Sequence, residues 1–307
     1  MAEDINENEE KNELPDFTFN REKDDFIFFD SIKSAIIDSI ETISARFNNS
    51  SNNTNQLKTG FPCLEFDNGN LIVLAARPSI GKTSFALSLI KKLAVEKGVP
   101  VGFIDTGTMD NTFLGNKLLS ITSGVSYGKI RSAMLKNSDL RKIQETAGKL
   151  YDAPIYTAIN PNCSFDDFVL SAENMLEEKA VKLIVVEGFD FFAEIVDAEK
   201  EYYRYDLGSL MDSFKEFAVK HNIPIVLVMR LPSSDTDNVP GLLDFRKNLV
   251  VPYKADMVLF LHRDRIKDDI NNIDTKLIIS KNVCHATYDI PLNFYPSTGL
   301  FEEKKEE

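Results

Sequence analysis

One stretch, LAARPSIGKTSFALSLI at residues 74–90, constrains the fold more than any other part of the sequence. Its first residues belong to an apolar strand pattern, NLIVLAA, which leads into a short loop that ends in Gly81-Lys82-Thr83. A helical pattern follows to about Lys97. A strand, a tight loop and a helix in this order form the context in which backbone amides and a helix N-terminus bind phosphate. The stretch therefore predicts an α/β fold with a phosphate-binding loop at one edge of its sheet.

The phosphate-binding loop also supplies candidate ligands for a nucleotide. Lys82 has the position that reaches the β- and γ-phosphates, and the Thr83 hydroxyl has the position that binds Mg²⁺. Ala76 stands where the motif usually has its first glycine. We predict ATP and Mg²⁺ as the cofactors. The predicted nucleotide-binding residues are Ser79, Ile80, Gly81, Lys82, Thr83 and Ser84.

Apolar runs rich in valine, isoleucine and leucine recur along the chain, and helical patterns separate most of them. This alternation predicts an α/β sandwich with a largely parallel central sheet that is covered on both faces. Glu187 ends one of the runs, which is the position and the chemistry of a strand-end carboxylate that holds Mg²⁺. The predicted strands after the loop are residues 101–105, 154–159, 182–187, 223–229, 256–262 and 275–280.

Length and composition limit the classes of protein that fit these patterns. A chain of 307 residues, 43% hydrophobic and 27% charged, can form one large domain with a buried core. It has no run of the roughly 20 apolar residues that cross a bilayer, and its N-terminus is acidic where a signal peptide is basic. Cys63, Cys163 and Cys284 lack metal-ligand spacing, which indicates a reducing compartment. We predict a cytoplasmic protein with no membrane partner.

The formal charge of -13 is concentrated near the ends of the chain. Residues 1–30 contain eleven acidic and three basic side chains. Because residues 1–28 are polar and aperiodic, they are predicted to form a disordered acidic tail. Residues 302–307 are predicted to form a second charged tail. The part of the chain between them is nearly neutral.

Isoleucines at helical spacing predict a linker helix at residues 29–48, and Ser31 is placed to cap it. A polar stretch follows, and residues 49–58 are predicted to be a flexible linker. Two interpretations of the helix stay open. It docks on a neighbouring subunit, which gives self-association through residues 31–47, or it folds back on its own domain. The isoleucines of its apolar face are Ile32, Ile36, Ile40 and Ile43.

Three blocks of sequence resemble the replicative hexameric helicases of the DnaB family. TGFPCLEF at residues 59–66 resembles the start of that family's motor domain, AARPSIGKTSFALSL resembles its phosphate-binding loop, and KADMVLFLHRD at residues 254–264 resembles a later strand. The resemblance covers roughly residues 30–301. It implies that residues 59–301 form a RecA-like P-loop NTPase sandwich, preceded by an N-terminal linker helix. It also implies an ATP-dependent 5′-to-3′ DNA helicase.

The resemblance assigns roles to catalytic positions, and several of them differ from the family. The family's glutamate that polarises the attacking water aligns with Gly107, and its strand-end aspartate aligns with Glu187. The glutamine that senses the γ-phosphate aligns with Arg230. The missing glutamate predicts weak or absent hydrolysis, although Asp105 or Asp110 could substitute for it.

This chain also retains fewer of the catalytic groups that the family supplies from a neighbouring subunit. The family's Lys-Gln-Arg segment aligns with Lys281-Asn282-Val283, so the lysine is retained and the arginine finger is lost. An arginine finger contributes about 10³ to 10⁵ in rate, and its loss therefore also predicts slow hydrolysis. The predicted catalytic residues are Glu187, Arg230 and Lys281, and the predicted metal ligands are Thr83 and Glu187.

The loop after the strand-end carboxylate lines the DNA channel in the family, and in this chain it is acidic. Acidic side chains outnumber basic ones in it, which makes it a poor attractor of phosphates. Tyr202, Tyr203 and Tyr205 could stack on bases, or they could pack or bind a partner. The predicted partners are a nucleotide, single-stranded DNA that is weakly held, and a second copy of the chain.

Two functions stay open from the sequence. The first is an ATP-binding motor domain of a replicative helicase with weak or absent hydrolysis. The alternative is a non-motor protein that binds nucleotide and acts as a scaffold or regulator through protein contacts.

Overall fold

A computed structural model of the chain describes residues 55–107, 109–161, 163–192, 207–232, 238–263 and 273–304, together with Ile36, Ile37 and Ile40. The chain divides into two units, Met1–Thr54 and Asn55–Glu307. In the first unit the three described isoleucines are helical and exposed, and the linker helix at residues 29–48 stays a prediction. The rest of the predicted acidic tail and linker helix lies outside the described residues. The acidic stretch compared with the family's DNA-channel loops is residues 190–217, and its residues 193–206 also lie outside the described part of the chain.

The second unit is built on a large sheet, in which the described residues form nine strands, and on a separate two-stranded ribbon. The strands are β1 (Gln56–Lys58), β2 (Glu65–Asp67), β3 (Leu71–Ala76), β4 (Val101–Asp105), β5 (Ile155–Ile159), β6 (Leu183–Glu187), β7 (Ile225–Arg230), β8 (Met257–Arg263), β9 (Ile273–Asn282), β10 (Asp289–Tyr295) and β11 (Leu300–Glu303). The order across the large sheet is β11-β10-β9-β8-β3-β7-β6-β4-β5. Strands β3 to β8 are parallel, and β9, β10 and β11 extend the sheet in antiparallel fashion.

Helices connect most of the parallel strands. They are α1 (Lys82–Ile90), α2 (Asn111–Ser123), α3 (Tyr127–Ser132), α4 (Asn137–Asp152), α5 (Phe165–Lys179), α6 (Leu207–Lys220) and α7 (Val250–Lys254). Helix α1 continues as a π-helix over Lys91–Glu96, so the helical segment ends close to Lys97, as the sequence predicted. Helix α5 begins where Ser164 and Asp167 form a capping box, because the two side chains satisfy amides that the first turn leaves unpaired.

The core lies on both faces of the parallel strands. Every residue of β3, LIVLAA, is buried. Alternate residues of a strand point to opposite faces, so Ile72 and Leu74 join the core on one side and Leu71 and Val73 join the core on the other. Burial on both faces explains why these strands are continuous apolar runs in the sequence.

The antiparallel edge of the sheet differs from the sequence prediction. Strands β10 and β11 were not predicted, and β11 ends at Glu303, inside the predicted charged tail. Strand β1 likewise lies within the predicted flexible linker. Buried and more exposed residues alternate along β10, and the strand contains Pro291. It therefore lacks the continuous apolar run that marks a strand covered on both faces.

The carboxyl ends of the parallel strands meet at one edge of the sheet. The loops that follow β3, β4 and β6 therefore lie side by side at this edge, which is the usual ligand-binding edge of an open α/β sheet. No helix among the residues described is long and apolar enough to span a membrane.

Candidate nucleotide-binding site

The loop between β3 and α1 adopts a left-handed conformation that favours glycine. Gly81 has φ 112°, and a Cβ atom built on it would lie 3.1 Å from the Phe301 ring. Ser79 also has a positive φ, 63°. Since Gly81 precedes the first turn of α1 and has no side chain to cap it, the amides of that turn are available to an anion. The loop between β3 and α1 therefore has unpaired amides at a helix N-terminus, and phosphate binding there stays a prediction.

A cavity of about 370 Å³ opens beside this loop. Five of the six predicted nucleotide-binding residues line it, and the side chain of the sixth, Ile80, is buried in the core. Its lining residues are Ser79, Gly81, Lys82, Thr83, Ser84, Asp105, Gly107, Met109, Phe113, Lys117, Glu187, Gly188 and Phe191.

Thr83 and Glu187, the two predicted metal ligands, are in direct contact. The Thr83 hydroxyl donates a hydrogen bond of 2.9 Å to Glu187 Oε1. The other carboxylate oxygen, Oε2, is buried and has no hydrogen-bond partner among the described residues. Burial raises the pKa of Glu187 from 4.5 to about 7, against the opposing effects of Thr83 and Lys82. A buried carboxylate oxygen without a partner beside a hydroxyl is a donor set that fits Mg²⁺.

Lys82 is half-buried and lines the same cavity as these two residues. Burial lowers the pKa of its ammonium group, while the nearby carboxylates of Glu187 and Asp190 raise it. A bound phosphate would supply a further negative charge next to the ammonium, so nucleotide binding favours the charged form of Lys82.

The turn after β4 contains the position of the missing catalytic glutamate. Gly107 lines the cavity, and its amide donates to Asp105 Oδ1 at 3.3 Å, while the Met109 amide donates to Oδ2 at 3.1 Å. Asp110 Oδ1 accepts from the Phe113 amide at 2.6 Å and caps α2. Both aspartates that could substitute for the glutamate are therefore engaged by backbone amides. Burial also raises the pKa of Asp105.

Arg230 and Lys281 are not among the residues that line the cavity. Arg230 ends β7, has an exposed side chain, and donates its amide to Asp190 at 2.8 Å. Its positive charge still lowers the pKa of Lys82.

The Lys281 ammonium bonds backbone carbonyls of its own subunit. It donates to the carbonyls of Pro252, Tyr253 and Ala255 at 2.9, 2.9 and 2.6 Å. These carbonyls lie at the C-terminal end of α7, so Lys281 caps this helix. Its role toward a neighbour's nucleotide remains a prediction. Val283, at the position of the arginine finger, is exposed.

Five residues of the cavity were not predicted from the sequence, and Gly188 is one of them. Met109, Phe113 and Phe191 form an apolar part of its lining, and Lys117 adds a second cation. The Lys117 ammonium lies 4.2 Å from the centre of the Tyr127 ring. Helical spacing from Phe113 to Lys117 was the available signal, but it does not distinguish a cavity-facing side from a core-facing one.

A largely parallel sheet with a glycine-lysine-threonine loop and a strand-end carboxylate at the same edge defines a RecA-like ATPase domain. Residues 38–303 match the family of the DnaB-like helicase C terminal domain. The chain belongs to this family.

Similar proteins agree with this assignment. The replicative DNA helicase DnaB of Treponema pallidum (strain Nichols) is 33% identical over 279 residues, which cover 89% of this chain and 61% of the relative. A probable plasmid replicative DNA helicase of Chlamydia psittaci is 25% identical over 259 residues, covering 81% and 56%. The chain thus spans about three fifths of the length of these curated relatives.

Solved structures share the fold. One of them, an ATPase domain, aligns with a TM-score of 0.75 and 18% identity, covering 91% of this chain and all of that one. A DnaB-like replicative helicase, solved in a study of its interactions with primase, aligns with a TM-score of 0.72 and 17% identity over 89% of this chain and 71% of that one.

Proposed function

We propose that the chain is an ATP- and Mg²⁺-binding motor domain of a replicative DNA helicase type, and that it hydrolyses ATP slowly. The observation that carries the proposal is the cavity itself, because it joins Lys82 and the Thr83–Glu187 pair to a glycine at the position of the water-activating group. We therefore expect this site to bind ATP and to hydrolyse it slowly.

In this proposal each residue has a defined task. The amides of the loop and Lys82 hold the β- and γ-phosphates, and Thr83 and Glu187 hold Mg²⁺. Mg²⁺ would neutralise charge on the phosphates when it is bound. Glu187 must lose its proton to act as a ligand, and Lys82 must keep its own.

A non-motor scaffold or regulator is the second candidate. It is favoured by Gly107, by Val283, and by the use of the Lys281 ammonium as a cap within its own subunit. The two candidates share nucleotide binding and differ in DNA-stimulated hydrolysis.

The partners of the proposed domain follow from the family and from the charge of the chain. We propose a second copy, bound through residues 31–47, and single-stranded DNA that is held weakly. A cytoplasmic location is part of the same proposal, because the named relatives replicate DNA.

Nucleotide binding by the full chain tests the part that both candidates share. Titration with ATP and Mg²⁺ in a calorimeter should give saturable binding, and Lys82→Ala should weaken it by at least about tenfold, since charge-assisted hydrogen bonds contribute about 1.5 to 3 kcal/mol. Lys149→Ala, on the exposed face of α4, is the matched control and should bind normally. If the unmodified protein does not bind, the proposal fails.

A further inference from the structure

Three phenylalanines follow the strand-end carboxylate, and they face different surroundings. Phe189 and Phe192 are fully buried in the core. Phe191, in the 3-10 turn Phe189–Phe191, is 41% exposed and lines the nucleotide cavity. The core therefore does not account for the position of Phe191.

The Phe191 ring covers two glycines where β4 and β6 end. A Cβ atom built on Gly107 would lie 3.6 Å from Phe191 Cδ2, and one built on Gly188 would lie 3.4 Å from the same atom. The Gly188 Cβ would also lie 3.2 Å from the Gly107 nitrogen. The two glycines thus let the ends of the strands approach closely, and the ring packs across both.

Gly107 itself has no side chain to hold a water molecule. The nearest described carboxylate, Asp105, is engaged by the amides of Gly107 and Met109. On the other side lies the ring of Phe191, and Met109 and Phe113 continue the apolar lining. A water against such a wall loses hydrogen bonds, so it is bound poorly there.

We propose that Phe191 excludes water from the Gly107 side of the cavity and thereby prolongs the lifetime of bound ATP. In hydrolysis the water oxygen bonds to the γ-phosphorus while the bond to the β,γ-bridging oxygen breaks. The electron pair of that bond leaves with ADP, and the water proton passes to a base. Phe191 keeps water away from the Gly107 side of the cavity, and the glycine at position 107 leaves the site without a base. Phe191 is therefore a positioning residue, and this inference rests on the proposed function.

Single-turnover hydrolysis of bound ATP with Mg²⁺ separates the two effects. The proteins are the full chain, Phe191→Ala, Gly107→Glu and the double variant. We expect Phe191→Ala alone to raise the rate only slightly, because no base is present, and Gly107→Glu to gain only partly, because its side chain extends beneath the ring. The double variant should exceed the product of the two single effects by at least about tenfold, which is a coupling within the range for residues in contact.

A change that merely loosens the fold would also weaken binding, so ADP affinity is measured on every variant and should change less than about threefold. Tyr151→Ala, which removes an aromatic side chain that is 90% exposed outside the cavity, is the control and should leave the rate unchanged. Phe191→Leu is the second variant if Phe191→Ala does not fold, and combined with Gly107→Glu it should raise the rate above that of Gly107→Glu alone.

The outcomes distinguish the inference from the proposed function. If ADP and ATP bind normally and the rates of the two single variants simply multiply, the role of Phe191 is overturned and nucleotide binding stands. If the full chain binds no nucleotide, the proposed function and this inference are both overturned.

Discussion

Lys82, Thr83 and Glu187 line the same cavity, and the charges of Lys82 and Glu187 depend on each other. In this site the pKa of Glu187 is raised and the pKa of the neighbouring Lys82 is lowered. Both shifts have burial as their first cause and both favour neutral groups. Binding of a metal ion and a phosphate would reverse both preferences, which couples the protonation of the site to its ligands.

Glu187 gives the empty protein a pH dependence of known sign. Its pKa rises from 4.5 to about 7 on folding, so the protonated form is favoured in the folded state. Its contribution to stability is fully present below pH 4.5 and is lost as the pH rises through about 7. Glu187→Gln, which stays neutral, should therefore gain stability relative to the unmodified protein by about 3 kcal/mol between pH 4.5 and pH 8.

The measurement is the free energy of unfolding in denaturant, in the presence of a metal chelator and without nucleotide. The quantity compared is the difference between the two proteins at each pH, which cancels the other titrating groups. A difference that stays constant from pH 4.5 to pH 8 would contradict the burial of a neutral Glu187.

Among the elements, β9 and α7 are joined by one side chain. Lys281 of β9 bonds three carbonyls at the end of α7, and Asp256 follows that end. Asp256 in turn accepts from Lys215 of α6 at 2.7 Å. The retained family lysine thus also stabilises the packing of its own subunit.

Lys281→Met should lower the free energy of unfolding by about 1 to 2 kcal/mol, because it removes the donor to three carbonyls, two of which are partly buried. Lys276→Met on the same strand removes only an exposed pair with Asp289 and should change it by less than about 1 kcal/mol. Equal stabilities of the two variants in urea unfolding would show that the cap contributes nothing, and would leave only the predicted role toward a neighbouring subunit.

Motifs and apolar runs in the sequence predicted the elements that depend mainly on neighbouring residues in the chain. The phosphate-binding loop, β4 at its observed bounds and the position of Glu187 followed from motif and apolar runs. Strand β10 was missed because its pairing, not its composition, makes it a strand. The capping role of Lys281 depends on partners 26 to 29 residues away, which the sequence does not indicate.

The position of Phe191 was missed for a different reason. In sequence it is one of several apolar residues after a buried strand, and such residues usually enter the core. Only the two glycines and the turn place its ring toward the cavity.

For the whole molecule, the first unit, Met1–Thr54, contains both the acidic residues 1–28 and the isoleucines of the predicted linker helix. Ile36, Ile37 and Ile40 are exposed on a helix, and burying an isoleucine side chain contributes roughly 1.5 to 3 kcal/mol. A second copy could cover this face, while the acidic residues 1–28 of two copies repel each other, less so at high salt.

We expect weak, concentration-dependent self-association of the full chain that strengthens as salt is added. A truncated chain that begins at Gln56 should be monomeric at the same concentrations. Sedimentation of both with nucleotide present is the measurement. If both are monomeric at high concentration, the helix folds back on its own domain and the self-association proposal is wrong.

Steady-state ATP hydrolysis by the full chain, with and without single-stranded DNA, decides whether this domain binds ATP without turning it over at the rate of a motor. We expect a rate at least about 10³-fold below a typical turnover of about 10 s⁻¹, since the finger position is Val283 and the base position is Gly107. Single-stranded DNA should change this rate by less than about twofold, because the loop that would contact it is acidic. Turnover above about 1 s⁻¹ that DNA stimulates would refute slow hydrolysis and identify a working helicase motor.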